Sequence, residues 1–433
     1  MDETVSTQIE KLKPALRQLY GVDNQILLEQ LERYRRLDHD FIQKFGDQER
    51  FYFSTPGRVE ISGNHTDHNH GRVLTASIDL DSIAVAAPLD QPQITVWSAQ
   101  YEKPFEVSLA ELKPQGKEAG TTSALVRGIA AQFRQLGYQI GGFEACLTSS
   151  VLPGSGLSSS ASVEVLLGSI LNAMYNKNRI APEIVAKVGQ YAENVYFGKP
   201  CGLMDQMACA VGGLLLIDFK EPENPIIQKI DFNFSQTSYH LLVVDTGGSH
   251  VNLTEDYAAV PLEMKSVAAI FGTDVLRNVS AADFFNRLPD LQGKISDRAI
   301  LRAIHFFEEN DRVLKQAQAL NANDFPGFLK MVKASGDSSF KWLQNIYSIC
   351  NAAEQRITLA LALTEKYISE VGAGAGRIHG GGFAGTILVF LPEGYVENYS
   401  KMMVKHFGQD CVTVLNVRKR GTTLVNTHQK KVN

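Results

Sequence analysis

The stretch best suited to chemistry is residues 151–161, with the sequence Val-Leu-Pro-Gly-Ser-Gly-Leu-Ser-Ser-Ser-Ala. A strand is predicted before it, over residues 143–151, and apolar residues recur at helical spacing after it, over residues 161–175. A glycine-rich loop in this position lets backbone amides converge on one point, and the helix start adds free N–H groups. The pattern predicts a cradle for an anion such as phosphate. The alternative from these residues alone is a turn in which one of the serines caps a core helix.

Asp205 is a second candidate, because it stands alone among apolar residues in the segment Leu-Met-Asp-Gln-Met-Ala. A carboxylate is costly to bury unless it is paired, which makes an isolated acid in such a setting typical of functional sites. The alternative is that Asp205 caps the element that follows. We predict a loop over residues 198–206 and a strand over residues 213–219.

Two further segments are rich in polar residues or in glycine. Residues 62–71, Ser-Gly-Asn-His-Thr-Asp-His-Asn-His-Gly, are too polar for a core element, and their three histidines lack the spacing of a zinc site. We therefore expect a substrate-binding loop rather than a metal site. Residues 371–385 are dense in glycine and precede a predicted strand, which favours a rigid turn close to a ligand over a flexible linker.

The scaffold that positions these loops mixes strands and helices. Charged, periodic residues over 7–45 predict two or three helices before the main fold. Strands are predicted over residues 50–61, 73–88, 93–97, 105–108, 239–246, 386–390 and 410–417. Helices are predicted over residues 122–136, 182–197, 299–316, 323–336 and 346–366. A shift in composition at residues 220–225 indicates a domain boundary.

Composition narrows the class of protein. The chain has 433 residues, 44% hydrophobic and 21% charged, which predicts a globular protein with two domains or one large α/β unit. A net charge of −5 offers no basic surface for nucleic acid. No apolar run approaches the roughly 20 residues that cross a bilayer, and the acidic start is unlike a signal peptide. The five cysteines lack metal-site spacing and predict reduced thiols in a cytoplasmic protein.

Four segments make the chain resemble the galactokinases and the wider GHMP kinases. The galactokinase signature at the sugar site is similar to residues 57–71, Gly-Arg-Val-Glu-Ile-Ser-Gly-Asn-His-Thr-Asp-His-Asn-His-Gly. The GHMP nucleotide loop resembles residues 153–161, and the third glycine motif resembles residues 377–385. The galactokinase catalytic segment is similar to residues 201–206, Cys-Gly-Leu-Met-Asp-Gln. Each motif is weak alone, but all four occur in family order and are together highly specific.

The resemblance implies a two-domain GHMP kinase fold of the α/β (α+β) class, with the active site in the cleft between the halves. The expected division is a helical extension over residues 1–48, an N-terminal kinase domain over 49–220 and a C-terminal kinase domain over 221–433. The extension is larger than the resemblance explains.

The resemblance also implies the roles of individual residues. Asp205 would be the base that faces the anomeric hydroxyl of a sugar, and Arg58 the cation that keeps Asp205 ionised and faces the transferred phosphate. Whether Asp205 accepts the proton or only stabilises charge is open. The residues that would hold the sugar hydroxyls are Asn64, His65, Asp67, Gly202 and Tyr257. The residues of the nucleotide loop are Pro153, Gly154, Ser155, Gly156, Leu157, Ser158, Ser159 and Ser160. The expected ligands of magnesium are Ser160 and Glu193.

The activity implied is that of an ATP-dependent sugar 1-kinase that requires Mg²⁺, with galactose as the first candidate sugar and a monomer as the expected state. The sequence departs from the family at Asn64, where galactokinases usually carry Glu, and at His68, where they carry Tyr. The segment over residues 122–128 also lacks the aromatic residue that the family tends to place near adenine.

Three alternatives follow. A carboxamide at Asn64 no longer repels an anionic substituent, so a galacturonate 1-kinase is one alternative; plant galacturonokinases likewise carry Asp-His at the positions of Asp67 and His68. A non-catalytic sugar sensor is another, although Asp205, Arg58 and the serine loop are all present. A dinucleotide-binding oxidoreductase is set aside, because no Gly-x-Gly-x-x-Gly pattern follows the first strand.

Overall fold

Two sheets form the framework of the molecule. The computed structural model describes residues 8–99, 101–151, 156–248 and 253–425. Within these ranges the first sheet has eight strands, namely Phe51–Ser62, Arg72–Leu89, Gln93–Ser98, Phe105–Ser108, Gly142–Ser149, Leu214–Asp218, Ile226–Ile230 and Thr423–Leu424. The second sheet, within the same ranges, has four strands, Tyr239–Asp245, Ala375–His379, Thr386–Pro392 and Val412–Leu415. Strands Gln93–Ser98 and Gly142–Ser149 pair in parallel, and the other strand pairs named in both sheets are antiparallel.

Helices cover the sheets. The α-helices are Lys13–Tyr20, Asn24–Phe45, Thr122–Gln135, Ser159–Tyr175, Pro182–Tyr191, Met204–Val211, Thr254–Ile270, Ala281–Asn286, Leu288–Leu291, Asp297–Asn321, Phe325–Ser338, Arg356–Val371 and Glu393–Phe407. Wider π-helical turns follow two of them, at Ala192–Phe197 and Ser339–Leu343. Short 3-10 turns lie at Asp67–Asn69, Gly116–Glu118, Phe234–Gln236, Leu276–Asn278 and Ile349–Asn351. No helix in the described ranges combines the length and hydropathy needed to span a membrane.

The N-terminal helices cover one face of the first sheet. Successive strand residues point to opposite faces, and the strand Arg72–Leu89 shows this alternation. Ile83 and Val85 pack with the N-terminal helices, whereas Ala84 and Ala86 pack into the core formed with the helices on the other side. The extension that the family resemblance leaves unexplained is therefore the cover of an otherwise exposed apolar face.

A buried carboxylate, Asp81, joins the extension to the rest of the chain. Its oxygens lie 2.9 Å from Arg33 Nη1 and 3.3 Å from Arg418 Nη1, and they accept hydrogen bonds from Tyr20 and Ser54. Burial by itself raises the pKa of Asp81, but the two guanidinium groups hold that pKa below its usual value. The ion pairs thus connect the extension, the first sheet and the segment before residue 425.

The structure corrects several predicted elements. Asp205 lies in the first turn of the helix Met204–Val211 rather than in a loop, and the strand that follows begins at Leu214. The predicted helix over 346–366 begins only at Arg356. The glycine-dense run over 371–385 is not one turn, because it contains the strand Ala375–His379.

The division of the chain into domains is still a prediction, but sheet pairing shows that the chain crosses between the sheets more than once. Ile226–Ile230, beyond the predicted boundary at residues 220 and 221, pairs with Leu214–Asp218 in the first sheet. Thr423–Leu424 returns to pair with Phe51–Ser62.

Candidate active site

Asp205 is held by two groups that lie far from it in the sequence. Nε and Nη2 of Arg58 lie 2.8 and 2.7 Å from Asp205 Oδ1. The hydroxyl of Ser158 donates to the other carboxylate oxygen, Oδ2, at 2.5 Å. We call these three side chains the Asp205 junction. Protein groups therefore hold both oxygens of the Asp205 carboxylate in place.

The position of Arg58 results from an irregularity in its strand. The pairing of Phe51–Ser62 with Arg72–Leu89 shifts register between Pro56 and Arg58, and such shifts redirect the side chains beside them. The Arg58 side chain is 7% exposed, whereas that of Asp205 is 33% exposed. Burial by itself lowers the pKa of Arg58, but Asp205 raises it above its usual value, so the guanidinium keeps its charge. The junction thus combines a buried cation, Arg58, with a partly exposed carboxylate, Asp205.

Gly156 and Leu157 of the nucleotide loop also pack against Arg58. The carbonyl of Gly156 accepts a hydrogen bond from Arg58 Nη1, and the carbonyl of Leu157 accepts one from the Arg58 backbone N–H at 3.1 Å. Ser158 adopts a left-handed conformation with φ of 65° directly before the helix Ser159–Tyr175. The predicted loop residues Pro153, Gly154 and Ser155 lie outside the described residues.

The start of the helix Ser159–Tyr175 suits an anion. Ser158 occupies the N-cap position, but its side chain bonds Asp205 and makes no capping hydrogen bond. The first turn carries no acidic residue. An uncapped helix start offers free N–H groups and the positive end of the helix dipole. The alternative of a serine cap is therefore not what the geometry shows.

The two expected magnesium ligands lie next to each other. Ser160 Oγ is 3.3 Å from Glu193 Oε1, and Glu193 is buried in the π-helical turn Ala192–Phe197. The other oxygen of Glu193 accepts from Gln206 Nε2 at 2.9 Å, and Lys199 Nζ lies 3.1 Å from Oε1. In the described ranges no three His, Cys, Asp or Glu side chains form a metal-binding cluster. A hydroxyl and one carboxylate are hard oxygen ligands that suit Mg²⁺, which usually keeps waters and substrate phosphates as its other ligands.

Asp67 and Gly202 are in close contact. A Cβ atom on Gly202 would lie 1.9 Å from Asp67 Oδ2, closer than two atoms can approach, so only glycine fits at this position. Gly202 comes three residues before Asp205 in the chain. The contact therefore brings the polar loop over residues 62–71, which we call the sugar loop, to the segment that carries the junction.

Three of the expected sugar-binding residues hold the turn Gly380–Gly382. Asn64 Nδ2 donates to the carbonyl of Gly380 at 2.6 Å, and His65 Nε2 donates to that of Gly381 at 2.8 Å. The hydroxyl of Tyr257 donates to the carbonyl of Gly382, also at 2.8 Å. The part of the third glycine motif after the strand Ala375–His379 is thus held in place by side chains of the site.

The remaining nitrogen of His65 is available to a ligand. Burial, and then the neighbouring His68, lower the pKa of His65 to about 3, so its imidazole is neutral. Nε2 carries the proton that is donated to Gly381, which leaves a lone pair on Nδ1. This Nδ1 is buried and has no hydrogen-bond partner among the described residues. Such an acceptor suits the hydroxyl of a ligand.

The side chain of Asn64 is fully buried and its hydrogen bonds are made within the protein. Besides Gly380, its Nδ2 donates to Glu60 Oε1 at 2.9 Å, and its Oδ1 accepts from Asn345 Nδ2 at 2.6 Å. Glu60 in turn lies 3.3 Å from Arg377 Nη2. Both donors of the carboxamide are therefore occupied by protein acceptors.

Sequence reasoning missed some of the polar residues around the site. Glu60 lies inside the galactokinase signature over residues 57–71, and Lys199 lies inside the predicted loop over residues 198–206. Their charged side chains in these segments could have marked them as site residues. Asn345 lies outside every motif, and nothing in its local sequence indicates a partner 281 positions away.

Two family models match the chain. The model described as the galactokinase galactose-binding signature matches residues 39–88, and that of the GHMP kinases N-terminal domain matches residues 124–213. Together the two ranges include Arg58, the sugar loop, the nucleotide loop and Asp205.

Known proteins resemble the chain in sequence and in structure. The galactokinase of Streptomyces coelicolor is 30% identical over 380 residues, covering 87% of this chain and 92% of that protein. The galactokinase of Clostridium acetobutylicum is 30% identical over 377 residues, covering 84% of this chain and 90% of that protein. Lactococcus lactis galactokinase complexed with galactose has a TM-score of 0.76 at 24% identity, covering 89% of this chain and 98% of that one. The mevalonate kinase of Methanococcus jannaschii has a TM-score of 0.59 at 17% identity, covering 86% and 99% of the two chains.

Proposed function

Because this chain belongs to the galactokinase family, we propose that it transfers the terminal phosphoryl group of ATP to the anomeric hydroxyl of galactose, giving galactose 1-phosphate and ADP. The GHMP kinase fold and the kinase activity predicted from the motifs are confirmed by the same comparisons. Substrate, residue roles and metal are the parts that experiments must test.

The observation that carries the proposal is the Asp205 junction. Phosphoryl transfer needs a positioned hydroxyl nucleophile and groups that neutralise charge on the transferred phosphate. Asp205 is fixed at one oxygen by Arg58 and at the other by Ser158, which directly precedes the anion-binding helix start. We infer that Asp205 faces the sugar hydroxyl, where it accepts the proton or stabilises charge, and that Arg58 faces the phosphate.

The sugar is proposed to lie against Asp67, Gly202 and His65. The contact of Asp67 with Gly202 supports this, because it connects the sugar loop to the segment of Asp205. The unshared acceptor on His65 Nδ1 supports it as well. Asn64 and Tyr257 would act indirectly, through the turn Gly380–Gly382 that they hold.

Neither alternative activity is favoured. The curated relatives described above are galactokinases. The galacturonate hypothesis rests on Asn64, which carries no charge to repel the sugar carboxylate and could donate to it, but both of its donors are taken by Glu60 and Gly380. A sensor without activity would tolerate loss of the junction, whereas Arg58, Ser158 and Asp205 are in direct contact.

The proposed activity is tested by measuring ADP release with galactose, glucose and galacturonate as separate substrates. We expect the highest kcat/KM with galactose, and ³¹P NMR should show a phosphate on C1 of the product. A higher kcat/KM with galacturonate, or no ADP release with any sugar, would contradict the proposal.

We also propose that Ser160 and Glu193 hold the Mg²⁺ that accompanies ATP. The ion would supply positive charge to the phosphate oxygens. The adjacent hydroxyl and carboxylate, 3.3 Å apart at the start of the anion-binding helix, support the assignment. Glu193 is fixed through Gln206, so its carboxylate is already oriented toward Ser160.

Replacing Glu193 with glutamine should raise the Mg²⁺ concentration for half-maximal activity by roughly tenfold or more, because a neutral amide binds the ion more weakly. The KM for galactose should change little. Titration of activity against free Mg²⁺ at saturating ATP measures the effect. Glu397→Gln, which removes a carboxylate paired with Lys401 on the helix Glu393–Phe407, serves as control. An unchanged Mg²⁺ titration in Glu193→Gln would exclude Glu193 as a ligand.

We infer further that the enzyme acts as a monomer in the cytoplasm, with its sugar and ATP as small-molecule partners. Its five cysteines are free thiols, in agreement with a reducing compartment. Sedimentation analysis of the purified protein tests the oligomeric state.

A further inference from the structure

Lys199 brings a cation to the residues proposed to hold the metal ion. Its Nζ lies 3.1 Å from Glu193 Oε1, the oxygen that also accepts from Ser160 Oγ at 3.3 Å. The other oxygen of Glu193 is bonded to Gln206. The ammonium group is therefore bound at the oxygen on the side of Ser160, where a metal ion would bind.

The two partners of this ion pair differ in their freedom to move. The side chain of Glu193 is 4% exposed and is bonded through both oxygens within a π-helical turn. The side chain of Lys199 is 62% exposed and follows that turn in the chain. A lysine carries its charge on a flexible stem of four carbons. The ammonium can therefore leave the carboxylate while the carboxylate stays in place.

We propose that Lys199 competes with the metal ion for Glu193 and, when displaced, binds the terminal phosphate of ATP. This inference rests on the proposed function. A divalent cation and an ammonium on one carboxylate oxygen repel each other, so they bind there in turn. The group that can move is Lys199.

The surroundings of Lys199 favour the phosphate as its second partner. A lysine side chain is an ammonium at neutral pH. Lys199 is bonded to Glu193, whose other oxygen is bonded to Gln206, the residue directly after Asp205. Lys199 therefore lies in the field of both the proposed metal ligand and the proposed catalytic carboxylate. A cation released between them is placed to neutralise oxygens of the transferred phosphoryl group.

Lys199→Met removes the charge and keeps a side chain of similar length. Binding of Mn²⁺ alone, followed by electron paramagnetic resonance of the free ion, should tighten several-fold because the competing cation is gone. At saturating metal, ATP and galactose, kcat should fall by roughly tenfold or more because the phosphate loses a counter-charge. Lys199→Arg keeps the charge, so it should stay closer to the wild type in both measurements.

A matched control is Lys315→Met, because Lys315 is 61% exposed and forms an ion pair with Asp311 on the same helix, Asp297–Asn321. It should change neither measurement. Mn²⁺ binding that is unchanged or weaker in Lys199→Met would overturn the competition, and an unchanged kcat would overturn the phosphate contact. Either failure leaves the proposed function intact as long as the wild type phosphorylates galactose. If the wild-type protein does not phosphorylate galactose, the proposed function itself is contradicted.

Discussion

Replacing Asp205 with asparagine is expected to lower kcat by roughly 10²-fold or more, the scale of a positioned acid–base group, while ATP affinity stays near that of the wild type. The amide keeps the shape of the carboxylate but removes the charge that pairs with Arg58 and the strong proton acceptor that faces the site. Nucleotide binding should depend mainly on the helix start at Ser159 and on its loop, which the substitution leaves in place.

Steady-state ADP release gives kcat for Asp205→Asn, and calorimetric titration with a non-hydrolysable ATP analogue gives the affinity. Asp311→Asn is a suitable control, because Asp311 is a carboxylate paired with Lys315 on the surface. A variant that binds nucleotide normally and turns over at nearly the wild-type rate would remove Asp205 from the mechanism.

Replacing Asn64 with aspartate is expected to lower the free energy of unfolding by about 3 kcal/mol or more, because an unpaired charge would be buried. The carboxamide donates to the Glu60 carboxylate and to the Gly380 carbonyl. An aspartate there would present acceptors to both. Two carboxylates would then face each other in a site where burial already raises the pKa of Glu60.

The pH dependence of this defect has a definite sign. The introduced carboxyl should have a higher pKa in the folded than in the unfolded state, because burial and Glu60 disfavour its charge. The folded protein then binds more protons, so its stability relative to the wild type falls as the pH rises above about 4. Denaturant unfolding of both proteins at pH 5 and pH 8 should show the larger difference at pH 8.

Two variants sharpen the experiment on Asn64. Asn286→Asp, on an exposed helix end, should have little effect on stability. Adding Glu60→Gln to Asn64→Asp should recover part of the lost stability, since it removes the facing charge, and the double-mutant cycle should show coupling. Additive effects would contradict direct contact. A glutamate at position 64 would likewise place its carboxylate against that of Glu60. Asn64→Glu is therefore a poor test of which sugar the enzyme prefers.

The sequence alone was sufficient to predict those parts of the site whose residues are contiguous in the chain. The glycines and serines of the nucleotide loop, the sugar loop and the segment around Asp205 are contiguous, so their type and spacing alone predicted an anion site, a substrate loop and an acid of functional interest. Their order along the chain then indicated the family, which the relatives confirm. Long elements such as the helices Thr122–Gln135 and Phe325–Ser338 were predicted well because many residues contribute to each periodic pattern, but the helix Glu393–Phe407 was not predicted.

Only the tertiary structure decided which polar groups meet. The helix that carries Asp205 has eight residues, too few for a periodic pattern to distinguish it from a loop. Arg58 reaches Asp205 from 147 positions away and Asn64 reaches Gly380 across 316, because a register shift and the packing of two sheets bring them together. Residue 64 illustrates the difference. Its chemistry suggested a contact with substrate, but whether a carboxamide is free or occupied depends on neighbours supplied by the fold, and here Glu60, Gly380 and Asn345 occupy it.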